Sequence, residues 1–268
     1  MDLAISRRGA HCIANGIRLH YLEFHSASTN TPILLLPGIT SPAITWSFVA
    51  ERLATTNRVL VLDIRGRGLS ESRDGLGYTL DDYAQDVRGV IEVLGLGHPI
   101  VIGHSMGARI ATRLGAVASD LPSKLVLIDP PLSGPGRPPY PTPLDSYLTA
   151  IEAASRGASA EEFRKFAPTW TDEQISLRLE WLPTCSIEAV TQTHRHFHDE
   201  DVFPDFARLT SPTLLIYAAK ANVVPAELAK EIADLLPNGR AVPVQAGHMI
   251  PWDNLEGFLA VLQPFLQR

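Results

Sequence analysis

The residues best placed to do chemistry are a serine and a histidine far apart in the chain. Gly103-His104-Ser105-Met106-Gly107 is a G-x-S-x-G pentapeptide between an apolar run, 99–102, and a helix-forming run, 108–118. In a strand-turn-helix setting, small residues around a serine let the chain turn sharply and push the hydroxyl into the open. A hydroxyl is a weak nucleophile until a base takes its proton, so a histidine is needed downstream. His248 fits: among the nine histidines it is the one that follows the last apolar run, 240–244, just ahead of a final helical run. The chemistry this pair suggests is acyl transfer to water.

A third group should orient the imidazole. The segment after the apolar run 213–217 offers no carboxylate, only Asn222, and an amide does not stabilise an imidazolium as a carboxylate does. One run earlier, Lys124-Leu125-Val126-Leu127-Ile128-Asp129-Pro130 ends in an acid at the edge of a sheet where ligands bind. Asp129 is therefore the expected acid, the alternative being that it caps a turn before Pro130 and that a Ser-His dyad works alone. Oxyanion stabilisation calls for backbone N–H donors. The residue after the nucleophile, Met106, supplies one, and Ile39, turned inward by Gly38 after the run 33–36, supplies the other.

These residues need a frame. Two apolar runs in 11–24, joined by Asn15-Gly16, read as a hairpin with a tight turn. Six further apolar runs, 33–36, 58–62, 99–102, 125–128, 213–217 and 240–244, read as buried parallel strands. Helical patterns at 79–94, 108–118, 225–236 and 254–266 connect them. The expected fold class is α/β, a mostly parallel eight-stranded sheet with flanking helices. Between Asp129 and Thr213 the chain spends about eighty residues, far more than an ordinary connection needs. A Pro- and Gly-rich start gives way there to helical patterns at 144–155, 160–167, 172–182 and 187–197. The expected organisation is a core of 1–133 and 206–268 with a helical cap of 134–205 inserted after the sixth strand.

Composition narrows the partners. In 268 residues with a net charge of -6 there is no Lys/Arg block, which argues against nucleic acid and anionic membrane. Cys12 and Cys185 have neither metal nor redox spacing, and no run is long and apolar enough for a membrane helix. The amino-terminal stretch 1–8 lacks the apolar centre of a secretory leader, so the expected location is cytoplasmic. The loop 63–70 carries charges expected to pair internally. The histidines at 194, 196 and 198 lack an acidic partner set for a metal and are expected to be solvated or to line the cap. No cofactor and no metal are expected.

With these residues in place, the chain resembles the α/β-hydrolase superfamily over its whole length. Within it, it resembles the N-formylmaleamate deformylases of bacterial nicotinate degradation. The similarity lies in the segments 36–46, 103–109, 129–137 and 246–253. The resemblance implies a Ser-Asp-His triad with the acid on the earlier strand, matching Ser105, Asp129 and His248, and hydrolysis of a small N-formyl amide through a formyl-enzyme. A small anionic substrate then needs polar partners, for which Ser41, Arg137, Tyr140 and His198 are candidates, with Trp46, Trp170, Trp181 and Trp252 as aromatic residues that could wall the pocket. The same triad would serve a carboxylesterase, a lactonase or a carbon-carbon bond hydrolase, and a ligand receptor on this fold would retain it. Dehalogenase and epoxide-hydrolase chemistry would place Asp at position 105. Since no metal-type ligand set occurs, activity assayed after dialysis against EDTA should be unchanged; loss restored by zinc would overturn a serine mechanism.

Overall fold

The computed structural model describes residues 6–25 and 29–267. Residues 1–5 of the amino-terminal stretch considered above lie outside the described residues. The chain opens with β1 (Ser6–Ala14) and β2 (Ile17–His25), paired antiparallel across Asn15 and Gly16, both at positive φ as a type I′ turn requires. Then come β3 (Ile33–Leu36), α1 (Ser47–Leu53), β4 (Val59–Leu62), α2 (Leu80–Val93), β5 (Ile100–His104), α3 (Met106–Val117) and β6 (Lys124–Ile128). The insertion after β6 holds α4 (Leu144–Ser155), α5 (Ala160–Phe163), α6 (Asp172–Trp181), α7 (Ile187–Asp199) and α8 (Phe203–Phe206). The chain closes with β7 (Thr213–Ala218), α9 (Ala226–Leu235), β8 (Gly239–Val244), α10 (Ile250–Asp253) and α11 (Leu255–Leu266).

The eight strands form one sheet in the order β1-β2-β4-β3-β5-β6-β7-β8, with β2 antiparallel to its neighbours and every pair from β4 to β8 parallel. This is the expected mostly parallel sheet, with a large helical insertion after the sixth strand. Parallel strands covered by helices on both faces must be apolar throughout, which is why β3, β4 and β5 are buried at every residue. Alternation splits them between two cores. Leu34, Leu36, Leu60 and Leu62 face α2 and α3, whereas Ile33, Leu35, Val59 and Val61 face α1 and α11. The first core continues without a break into the insertion through Ile151, Ile175, Val190 and Phe197.

Two departures from the sequence reading bear on the site. β5 runs beyond Ile102 to His104, so the sheet delivers the chain directly to Ser105. The helical turn at Ala43–Trp46 and the short helix α1 were not anticipated, because two turns with Val49, Ala50 and Leu53 buried are too brief to show a period.

The charges of the loop after β4 are satisfied within the protein, by partners outside the loop rather than by one another. Asp63 accepts from His20 and from the Ala43 N–H, at 2.7 and 2.6 Å, and Arg65 grips Asp86 with two bonds of 2.5 Å. Arg67, also buried, donates to the Ile39 carbonyl at 2.9 Å, to the Tyr83 hydroxyl at 2.8 Å and to Thr193 of α7 at 2.9 Å. One guanidinium therefore ties the loop after β3 to the inserted helices. Arg67→Met would leave these acceptors buried and unpaired, and should lower stability by about 2–4 kcal/mol, read as a fall in the urea midpoint at unchanged slope. A variant as stable as the parent would mean that water satisfies these groups.

Candidate active site

The sharp turn between β5 and α3 sets the site. Ser105 sits at φ 53°, ψ -118°, a conformation that side chains other than glycine rarely adopt. The turn closes only because its flanks lack side chains: a Cβ on Gly103 would overlap the Gly107 carbonyl, and one on Gly107 would overlap the Leu36 carbonyl. The Ser105 Oγ lies 3.0 Å from His248 Nε2, and His248 Nδ1 lies 2.6 Å from Asp129 Oδ2. A carboxylate only accepts, so the proton on Nδ1 is donated to Asp129 and the Nε2 lone pair faces the serine. The other oxygen of Asp129 accepts the Ala218 N–H from the end of β7 at 3.0 Å. Asp129 is fully buried and has a positive φ of 46°, so the chain turns away at once while its side chain remains under the histidine.

Residues 39 and 106 lie on either side of this serine. Met106 opens α3, where the first N–H groups have no intrahelical partner. Ile39 follows Gly38, whose bare Cα allows the loop to approach: a Cβ there would stand 3.1 Å from the His104 ring and 3.4 Å from Ser105 Cβ. Above them opens a cavity of about 200 Å³ bounded by the loop after β3, by Ser105 and His248, and by the inserted helices. That is room for a small molecule, below the volume drug-sized ligands occupy.

The model of the alpha/beta hydrolase family matches residues 33–261. This chain belongs to that family. It is 44% identical over 259 residues to N-formylmaleamate deformylase of Pseudomonas putida, covering 96% of both chains. A crystal structure of an N-formylmaleamic acid deformylase from Pseudomonas putida superposes with a TM-score of 0.91 at 49% identity, covering 96% of this chain and all of that one. More distantly, 2-(acetamidomethylene)succinate hydrolase of Mesorhizobium japonicum is 27% identical over 257 residues, covering 89% of each.

In this hydrolase the expected substrate contacts are not all at the cavity. Ser41 lines it. Tyr140 stands over His248, ring centroids 6.5 Å apart, and its side chain interacts with that of Ser105 while its hydroxyl meets that of Tyr147 at 2.9 Å. Burial pushes both phenols above their usual pKa, so they serve as neutral hydroxyls. His198 accepts the Tyr140 N–H at 3.2 Å, and His194 Nε2 donates to the Thr142 carbonyl at 2.9 Å while its ring packs against that of Tyr140. These histidines line the insertion, and among the described residues no cluster of three or more metal-ligating side chains occurs. Trp46 is buried against His104, ring centroids 5.3 Å apart, rather than lining the cavity. Arg137 is paired with Glu231 at 2.9 Å and lies over the Phe203 ring, away from it. Asn222 faces a different cleft beside Leu132 and Pro139.

The cavity also takes side chains that the sequence reading passed over, Tyr147 and Ser146 of α4 and Arg178 of α6; of the tryptophans expected to wall it, Trp170 lines it and stacks on Trp252 at 4.3 Å. The only sequence signal of Tyr147, Ser146 and Arg178 is membership of the helical insertion.

His104, next to Ser105, is a support of another kind. Its Nε2 lies 2.9 Å from the His248 carbonyl, so Nε2 carries the proton, and the buried Nδ1 has no partner. Burial first, and the neighbouring His248 second, lower its pKa to about 3. The ring therefore stays neutral and adds no charge against an imidazolium at His248. Unfolded, it would titrate near its ordinary value. Its contribution to stability is thus complete above about pH 6.5 and declines as pH falls toward 3. Between pH 6.5 and 4.5 the loss should be about 2 kcal/mol. His104→Gln, which keeps a donor for the His248 carbonyl, should flatten the pH dependence of the urea midpoint by that amount; an identical slope would mean His104 titrates in the fold.

Proposed function

We propose that this chain hydrolyses a small N-formyl amide, N-formylmaleamate to maleamate and formate, with Ser105 as nucleophile, His248 as base and Asp129 as the orienting acid. The observation that carries the reading is the hydrogen-bonded chain from Ser105 through His248 to Asp129, opening on a small cavity in a chain 44% identical to a deformylase of that substrate. A second supporting point is that a more distant relative is named for another small N-acyl compound bearing carboxylates.

The Ser105 hydroxyl attacks the formyl carbon as its proton passes to His248 Nε2. Negative charge gathers on the former carbonyl oxygen, held by the N–H groups of Ile39 and Met106. The imidazolium, steadied by buried Asp129, then gives the proton to the departing nitrogen, the carbon-nitrogen bond breaks, and maleamate leaves a formyl ester on Ser105. Water, the second substrate, enters; His248 takes its proton, the hydroxide adds to the ester, and the proton returns to Ser105 as formate departs. The residues 134–205 act as a cap that limits water and shapes the cavity around an anionic substrate. Cys12 and Cys185, both free and buried, suit a reducing, cytoplasmic setting.

Two comparisons test the reading. Asp129→Asn should lower kcat on the order of 10⁴-fold, because an amide favours the wrong imidazole tautomer, while Asn222→Ala changes it little. Formate release from N-formylmaleamate should exceed acetate release from its N-acetyl analogue by at least about tenfold, since an added methyl group overfills the space beside the elbow. The reverse ranking of the two variants would misplace the acid, and equal rates on the two amides would leave a general amide or ester hydrolase.

A further inference from the structure

Arg178 is a cation without an anion. It projects from the last turn of α6 into the cavity, and there its guanidinium donates through Nη1 to the Thr40 carbonyl and through Nη2 to Thr40 Oγ1, the latter at 2.5 Å. Among the described residues no Asp or Glu pairs with it. The contrast with the other enclosed arginines is sharp: Arg65 grips Asp86, and Arg113 pairs with Asp205 at 2.6 Å. Arg67 and Arg109 have no carboxylate either, yet their donors are spent on several buried acceptors, and both are 1% exposed. Two of the five N–H groups of Arg178 meet Thr40, and it is less buried than these, with its exposed part facing the cavity. Burial lowers its pKa, because desolvation disfavours the charged form. A buried charge left in that state is unfavourable unless a ligand completes it.

We infer that Arg178, with the hydroxyls of Ser41 and Tyr147 that share its cavity, is the subsite for the substrate's carboxylate, and that it selects acids whose carboxylate folds back toward the reacting carbonyl. The inference rests on the deformylase reading for the identity of that substrate. The geometry behind the second half is local. Arg178 is fastened to Thr40, and the adjoining Ile39 supplies an N–H to the oxyanion, so both sites are anchored on neighbouring residues of one loop. A cis four-carbon acid turns its carboxylate back toward the reacting end; a trans one carries it away. The guanidinium fork also suits a carboxylate held by two parallel bonds, which an ammonium cannot reproduce.

The test uses binding, so that it does not depend on turnover. Calorimetric titration of the full chain carrying Ser105→Ala should show maleamate binding on the order of 10²-fold more tightly than neutral maleamide, and more tightly than its trans isomer fumaramate. Adding Arg178→Gln should erase the preference of acid over amide and leave maleamide affinity within about threefold. Arg178→Lys should restore part of it. The acid-over-amide comparison in the Ser105→Ala protein alone decides the first half even if an Arg178 variant fails to fold. Equal affinity for acid and amide there, or equal loss of both ligands in Arg178→Gln, would overturn the subsite and leave Arg178 a brace for the loop. Equal binding of maleamate and fumaramate would overturn the cis selection. If the unaltered chain does not release formate from N-formylmaleamate while maleamate binding still depends on Arg178, the deformylase reading fails and the carboxylate subsite stands.

Discussion

Everything at the site hangs on one backbone conformation, that of Ser105. A positive φ at a residue with a side chain costs about 1–3 kcal/mol and persists only where the surroundings leave no alternative. Here β5 holds the chain on one side through a ladder that reaches His104, paired with Ile128 of β6, and α3 starts immediately on the other. Gly103 and Gly107 let strand and helix close to backbone contact. The same turn lifts the Ser105 hydroxyl toward His248, aims the first N–H of α3 at the space above it, and brings the loop after β3 alongside through Gly38. The remaining members come from the ends of neighbouring strands: Asp129 from β6, the N–H that fixes it from β7, and His248 after β8. The parallel sheet thus gathers residues separated by 143 positions along the chain into one row of hydrogen bonds.

Most of this frame was legible in the sequence because it rests on short-range rules. Buried parallel strands must be continuously apolar, so 33–36 is recognisable within a residue, and the strands around it within two. Ser105 stands in a pentapeptide whose glycines are demanded by sterics, and His248 follows the last strand. The position of Asp129 at the close of an apolar run is equally local, and the structure brings its side chain to the ring nitrogen of His248. The surroundings of the cavity were less legible. α6 buries Ile175 alone, and nothing in its composition separates an arginine aimed inward from one aimed at solvent. Arg137 failed as a cavity residue for the converse reason: its charge is satisfied by Glu231 on α9, 94 residues away. A long-range ion pair leaves no trace in local pattern.

Charge then divides the molecule's labour. The chain as a whole is acidic, yet the cavity contains a guanidinium with no carboxylate partner, a neutral His104 and a set of hydroxyls. Keeping His104 uncharged leaves an imidazolium at His248 opposed by no charge on that ring, and the acid hydrogen-bonded to it is Asp129. Arg67 and Arg178 both end on the loop that carries Ile39 and Thr40. On the proposed reading, one of the two oxyanion donors, the Ile39 N–H, and the anchor of the anion-binding guanidinium belong to one loop, so recognition and stabilisation of developing charge share a support.

The central claim is that acyl transfer passes through Ser105. The most direct measurement is acid-quenched mass spectrometry of the chain during its first turnovers on N-formylmaleamate, with the modified peptide mapped by digestion. The account predicts the added mass of a formyl group on the peptide containing Ser105, formed before steady state and absent from Ser105→Ala. Steady formate release with that peptide unmodified throughout, or the formyl group on another residue, would contradict it.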